Sequence, residues 1–414
     1  MAIRPRTGVF IGIGAIVVLA VAGTVVYNVA QQSTASDANT ISWWVPDWDY
    51  DVASDLVEQF ESDNPDIDVE LVKTTGDTVA NKVSVALDSG NVPDVITESI
   101  ARVKTYMDKG QLADLSDLYD ENMPVDDFAP GSVDVVSDDD GTYAVPYRWA
   151  TNALIYNPEL FEKAGISGPP TTWAEFVDDA KKLTTGDVAG TAWPTQGDPS
   201  DLTLRFLDFA LADGATIENG SPRLTDQSVS DSLDLIGGAI RDGWATKISF
   251  ELDNTGIREL FLQGRVAMYL GGVFDVDTAV EQGAPVASAL MPGPDGPGVA
   301  QGVGWGYLVP KASTHQDAAK KLVSFLGSPE NMAALTLTFP ARVSASEDPK
   351  FQTPERKPFA EQLASHSLPA PNDPKWTSMI QFVHDQIEAV GLGSSTTEQA
   401  RDAIMQQATT TLGE

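Results

Sequence analysis

Residues 141–165 read GTYAVPYRWATNALIYNPELFEKAG. A short Tyr/Val strand leads into Pro146, Tyr147, Arg148 and Trp149, set side by side. Asn152 follows, then a second strand (Ala153, Leu154, Ile155, Tyr156), an Asn-Pro stop and a helix. Two strands meeting at a polar and aromatic junction predict a hinge where the chain passes from one lobe to another. Clefts between lobes are where small ligands are held.

The segments on either side predict an α/β protein. Residues 41–45 form a tryptophan-bearing strand, and Asp47-Trp48-Asp49 a turn. Val52, Leu56, Val57 and Phe60 recur at helical spacing. Asn64-Pro65 ends that helix, and residues 67–72 alternate as a strand. A helix over 78–89 and a strand over 93–97 follow. Alternating β and α implies a parallel sheet covered on both faces, with ligands beyond the carboxyl ends of its strands. Those ends supply Asp47-Trp48 and Glu98-Ser99.

Further along, Thr172–Glu175 has the form of a capping box, and Asn219-Gly220 that of a hairpin turn. Ser313 and Gln316 are placed to cap a helix running to Leu326. Residues 345–374 are proline-rich and predict a segment wound over the surface. No internal repeat is present.

The chain has 414 residues, enough for two or three domains. It has 26 basic and 60 acidic residues, a net charge of −34. That excess repels phosphates and argues against a nucleic-acid partner. There is no cysteine, which excludes disulfides, thiolate metal sites and cysteine lipidation. His315, His366 and His384 are scattered and match no zinc spacing, and no cofactor motif is present. Gly302-x-Gly304-x-Gly306 precedes a strand rather than a helix, so it lacks the helix N-terminus that holds a pyrophosphate. Close backbone approach at a turn is the expectation there.

Arg4 and Arg6 precede an uncharged run over residues 8–27. It exceeds the roughly 7–15 residues of a signal-peptide core and is long enough to span a bilayer. Basic residues before the span hold that end in the cytoplasm. Either an uncleaved anchor or a signal cleaved after Ala35 or Ala38 exports the remainder.

A sugar offers an apolar C–H face and a ring of hydroxyls. Aromatic rings cover the first, and carboxylate, guanidinium and amide groups take the second. Asp47, Trp48, Glu98, Arg148, Trp149, Asn152, Trp305 and Arg342 suit that chemistry. Competing readings stand beside it: Trp43 or Trp44 as core, Trp173 as helix packing, Trp244 as core or cleft, and Arg148 or Arg342 as partners of surface acids.

Five segments now carry a resemblance. They are NPDIDVELV (64–72), SGNVPDVI (89–96), the 141–165 block with PPTTWAEF (169–176), FLQGRVAMYLGG (261–272), and GWGYLVPKAS with DAAKKLVSFLGSPENMAAL (304–335). Together, in this order, they resemble the extracellular solute-binding proteins (family 1) of ATP-binding-cassette importers, the maltose-binding-like group. The resemblance implies a two-lobe periplasmic-binding-protein-like (type II) α/β fold. Residues 40–148 and 285–335 would form one lobe, 150–284 and 336–414 the other, with 1–39 as signal or anchor and linker. It implies ligand contacts at Asp47-Trp48, Glu98-Ser99, Tyr147 to Asn152, Gly272 to Asp275, and Gly304-Trp305. Where the family often has tryptophan after the paired glycines, this chain has Phe274 and Asp275. Many relatives are lipoproteins anchored at cysteine, which leaves the N-terminal helix as the anchor here.

The implied function is a monomeric, non-catalytic carbohydrate receptor outside the cytoplasm, taking a neutral di- or oligosaccharide and docking on a membrane permease. The alternatives are an exported glycoside hydrolase with two cleft carboxylates and a ligand-binding partner of a membrane sensor.

Overall fold

The computed structural model describes residues 39–413; the expected N-terminal helix lies outside them. Among the described residues no helix is long and apolar enough to cross a membrane.

The chain opens with β1 (Thr40–Pro46), α1 (Tyr50–Asp63), β2 (Asp68–Thr74), α2 (Gly76–Ser89), β3 (Val95–Ser99) and α3 (Ile100–Asp108). Strand β1 alternates, burying Ile41, Trp43 and Val45, so its core-facing side is set by the sequence period of two. Trp43 is indeed core, its Nε1 donating to Thr97 Oγ1 at 2.9 Å. The hinge block forms β4 (Val145–Ala150) and β5 (Ala153–Tyr156). Next come α4 (Trp173–Leu183), α5 (Pro199–Ala212), β6 (Met268–Gly271), α6 (Val273–Glu281), β7 (Ala287–Ala289) and β8 (Ala300–Leu308). The chain closes with α7 (Gln316–Leu326), β9 (Phe339–Pro340), α8 (Lys357–Ser365), β10 (Ser367–Pro369), α9 (Pro374–Gly391) and α10 (Thr397–Leu412).

Among the described residues, seven strands make one sheet in the order β9-β4-β8-β3-β1-β2, with β10 beside β8. β1 lies parallel to β2 and β3, whereas β8 runs antiparallel to both β3 and β4. A second, antiparallel sheet has the order β6-β5-β7. Strands β4 and β5, separated only by Thr151 and Asn152, therefore belong to different sheets. The loop between β7 and β8 returns the chain to the first sheet. Two buried cores result: one gathers Trp43, Phe60, Tyr147, Trp149 and Tyr307 around the first sheet and extends to Ile155 and Tyr269 on one face of the second, and the other gathers Phe176, Trp193, Phe206, Phe209 and Met268 on that sheet's opposite face. This is a two-lobe fold of the kind expected.

Local signals hold in detail. The Thr172–Glu175 capping box is complete. Asn219 and Gly220 both take positive φ, 53° and 78°, and close the hairpin. Trp173 packs at its helix, donating to the Pro292 carbonyl at 2.9 Å, and Trp244 is core. Other expectations change. Ser313 does not cap α7: His315 occupies that position, and the Ser313 hydroxyl donates to Asp94 at 2.6 Å instead. The proline-rich segment does not merely wind over the surface, because it contains α8 and fully buries Phe351 and Phe359 in the first core.

The glycines of β8 lie inside the strand rather than at a turn. Any β-carbon on Gly302 would collide with the Trp149 indole, and one on Gly304 with that ring and the Arg148 carbonyl. Trp149 is fully buried as a result. Because a backbone carbonyl cannot swing aside, Gly304→Ala is expected to destabilise the chain by about 1–3 kcal/mol. Gly296→Ala, in the open loop before β8, has nothing within 4 Å of the added carbon and should stay within about 0.5 kcal/mol. Urea denaturation of both variants checks this; equal midpoints would contradict the seating of Trp149.

Candidate functional site

Two backbone bonds hold the turn beyond β1. Asp47 N donates to the Thr74 carbonyl at 2.8 Å and Asp49 N to Pro46 at 3.1 Å. Asp47 is exposed, and Trp48 is 39% exposed despite its size. Trp48 and the half-buried Trp305 of β8 meet in a T-shaped contact, ring centroids 5.1 Å apart and planes at 82°. The Arg148 guanidinium lies 5.6 Å from the centre of the Trp48 ring, within cation–π range. One strand end, one crossing strand and one returning strand thus bring three expected residues together.

Arg148 is oriented through Tyr147, an expected site residue, and Asp49, which no sequence signal picked out. Strand β4 carries an extra residue opposite β8: Trp305 pairs with Arg148, but Gly306 pairs with Pro146. Tyr147 is left over at this bulge, where Pro146, with no N–H to offer, does least harm. Tyr147 turns fully inward, stacks on Tyr307 at 4.8 Å, and donates its hydroxyl to Asp49 at 2.5 Å. Asp49 begins α1 but makes no side-chain cap there. Its carboxylate accepts from Tyr147 and sits 3.8 Å from Arg148. Burial pushes the Asp49 carboxyl up, an effect opposed by the Tyr147 bond and the Arg148 charge.

The other expected residues of this side lie deeper. Glu98 is fully buried, accepting from Ser99 N at 2.7 Å, Arg102 at 3.2 Å and the Tyr106 hydroxyl at 3.4 Å. Burial raises its pKa against those bonds. Its carboxylate is thus committed to its own lobe. Ser99 is half-buried and lines a small hollow with Trp149, Gly302, Gly304 and Asn372. Arg342 is buried, bonded to Asp127 at 2.7 Å and to the Gly327 carbonyl at 3.0 Å, and is a structural pair distant in sequence.

On the second lobe, Asn152 is half-buried and its amide reaches Asp208 of α5 at 3.5 Å. Asp208 is fully buried and also accepts from Gln301 N at 2.7 Å and Gln301 Nε2 at 2.9 Å. Thr151 Oγ1 donates to the Gln301 carbonyl at 2.9 Å. Both crossings are therefore bonded to each other and to α5. Gly272 precedes α6, and its missing β-carbon leaves room for the folded-back Phe274 ring. Phe274 is 52% exposed, whereas Asp275 is buried and paired with Arg258 at 3.0 Å; its pKa is raised by burial.

Exposed indole edges, a guanidinium held by a buried carboxylate, and an amide at the crossing can cover an apolar ring face and donate to hydroxyls. Asp49, Asp208 and Gln301 were missed by sequence. Asp208 had one signal: it stands alone in the apolar run FLDFALA.

Comparison with known proteins agrees with this architecture. The family profile described as bacterial extracellular solute-binding protein matches residues 49–333. An uncharacterized lipoprotein in the oleD 5′ region of Streptomyces antibioticus is 27% identical over 361 residues, 81% of this chain and 78% of that protein. The diacetylchitobiose binding protein DasA of Streptomyces coelicolor is 26% identical over 304 residues, 69% of this chain and 68% of its own. The solved structure of the sugar-binding protein MalE from Xanthomonas citri matches with a TM-score of 0.81 at 23% identity, covering 91% of this chain and 98% of that one. The GacH receptor of Streptomyces glaucescens matches with a TM-score of 0.73 at 21% identity, covering 92% and 100%. These structural likenesses speak to the fold.

Burial lifts the Asp208 carboxyl from 3.8 to about 6. An acid with a raised native pKa holds its proton more tightly folded than unfolded. Its contribution to stability therefore falls as pH rises from about 4 to about 6. Asp208→Asn keeps an oxygen for both Gln301 bonds and removes the titration. Between pH 4.5 and pH 7 the wild type should lose about 2 kcal/mol relative to Asp208→Asn, measured by urea denaturation at both pH values; a constant or opposite difference would contradict it.

Proposed function

The chain belongs to the bacterial extracellular solute-binding protein family, and from that premise we propose that it binds a neutral di- or oligosaccharide between its lobes and presents it to the permease of an ATP-binding-cassette importer. The observation that carries this reading is the Trp48–Trp305–Arg148 cluster at the carboxyl end of β1. Large aromatic surface left open beside a fixed cation suits a sugar ring. Asp47 stands exposed at the same end, and the net charge is −34; both disfavour a phosphorylated ligand.

The proposed contacts are Asp47, Trp48, Ser99, Arg148, Asn152, Gly272, Phe274 and Trp305. Tyr147, Trp149, Glu98, Asp275 and Arg342 take a supporting part, since each is buried. The lobes are divided as 40–148 with 285–335, and 150–284 with 336–414, the stretch from Phe339 to Leu363 packing against the first core. Ligand bridging both lobes favours the closed arrangement by its differential affinity. The protein acts as a monomer, without catalysis. The relatives named for diacetylchitobiose and sugar binding support the ligand class. With no cysteine available, attachment to the membrane falls to the N-terminal apolar run.

Calorimetry against a panel of neutral sugars tests the reading. Trp48→Ala and Trp305→Ala should each weaken the bound sugar by about 10–100-fold, with a thermal midpoint near wild type for Trp48→Ala because that ring is exposed. No binding of any neutral sugar, or wild-type affinity in both variants, would overturn it.

A further inference from the structure

Away from the cleft, one imidazole is left with an unmatched nitrogen. His384 lies on α9 and is 7% exposed. Its Nε2 is 3.1 Å from the Thr195 carbonyl. A carbonyl only accepts, so Nε2 carries the hydrogen, and in the neutral ring Nδ1 carries the lone pair. Nδ1 is buried and makes no hydrogen bond. It points at Asp385 Oδ1, 3.5 Å away. The buried ring nitrogen thus turns its lone pair toward an exposed carboxylate, an arrangement relieved by a cation between the two, whether a proton or a metal ion.

The surroundings supply the rest of a coordination sphere. One ligand atom each from His384, Asp385 and Glu388 lies within 4.8 Å of the others. His384 and Glu388 are four residues apart, on one helix face. Asp385 is held by Gln381, whose Nε2 donates to Oδ1 at 2.7 Å, leaving further lone pairs free. A tetrahedral ion with bonds of about 2.0 Å sets its ligands about 3.3 Å apart, close to the observed nitrogen–oxygen separation. The Thr195 bond to the far ring nitrogen is the outer contact that fixes the tautomer of metal-ligating histidines.

We infer that His384, Asp385 and Glu388 bind a divalent first-row transition ion, with Zn²⁺ as the reference metal and water completing the sphere. The imidazole nitrogen selects against Mg²⁺ and Ca²⁺, which take oxygen ligands. No cysteine or histidine spacing announces the site, because two of its ligands are ordinary helix-surface acids. Its occupancy would tie α9 to the Thr195 segment, through His384.

The test is calorimetric titration of the full chain with ZnCl₂ in excess Mg²⁺, so that the acidic surface is already screened. One equivalent of Zn²⁺ is expected to bind and to raise the thermal midpoint. His384→Ala loses the site but also a buried contact, so Asp385→Asn and Glu388→Gln are the informative variants. Each should weaken Zn²⁺ binding by about tenfold or more with the metal-free midpoint unchanged. X-ray absorption of the loaded protein should show one nitrogen among oxygen ligands. No stoichiometric binding above Mg²⁺, or unchanged affinity in both variants, would overturn the site.

Discussion

The structure depends on how two crossing segments are held together. Within two residues, Thr151 and Asn152, the chain leaves a seven-stranded sheet for a three-stranded one. It returns before Gln301. The buried Asp208 carboxylate takes both Gln301 donors, and Thr151 bonds the Gln301 carbonyl. A carboxylate enclosed in this way is costly to keep charged, which is why its pKa is lifted. What it provides is a fixed geometry where these two segments pass between the lobes.

From that junction the rest of the site follows. Trp149, seated against Gly302 and Gly304, fixes the register of β4 on β8. The bulge at Tyr147 then sends one side chain into the core and the next, Arg148, toward the open end of β1. Asp49 receives both, the phenol by a hydrogen bond and the guanidinium by charge. Trp48 and Trp305 stay open beside them. The candidate surface therefore rests on a buried layer of acid, phenol and indole that the solvent does not reach.

Much of the fold was legible because its signals are local. The β-α-β alternation, the Thr172 capping box and the Asn219-Gly220 turn are each decided within a few residues. Trp48 stood out because a large ring in a turn among aspartates has no nearby core to join. Glu98, Trp149 and Arg342 could not be placed in this way. Their burial is decided by Arg102 and Tyr106, by Gly302, and by Asp127, and the last two pairings span much of the chain. Asp49 was hidden among 60 acids, and nothing but the fold sets it opposite Tyr147.

The central claim is that a neutral sugar sits between the lobes against Trp48, Arg148 and Trp305. A crystal structure of the exported portion with a saturating di- or oligosaccharide tests it most directly. A sugar ring is expected to pack on the Trp48 or Trp305 indole, with hydroxyls within hydrogen-bond reach of Arg148 and Asn152. A ligand seated elsewhere, with those side chains unmoved and free of contact, would contradict it.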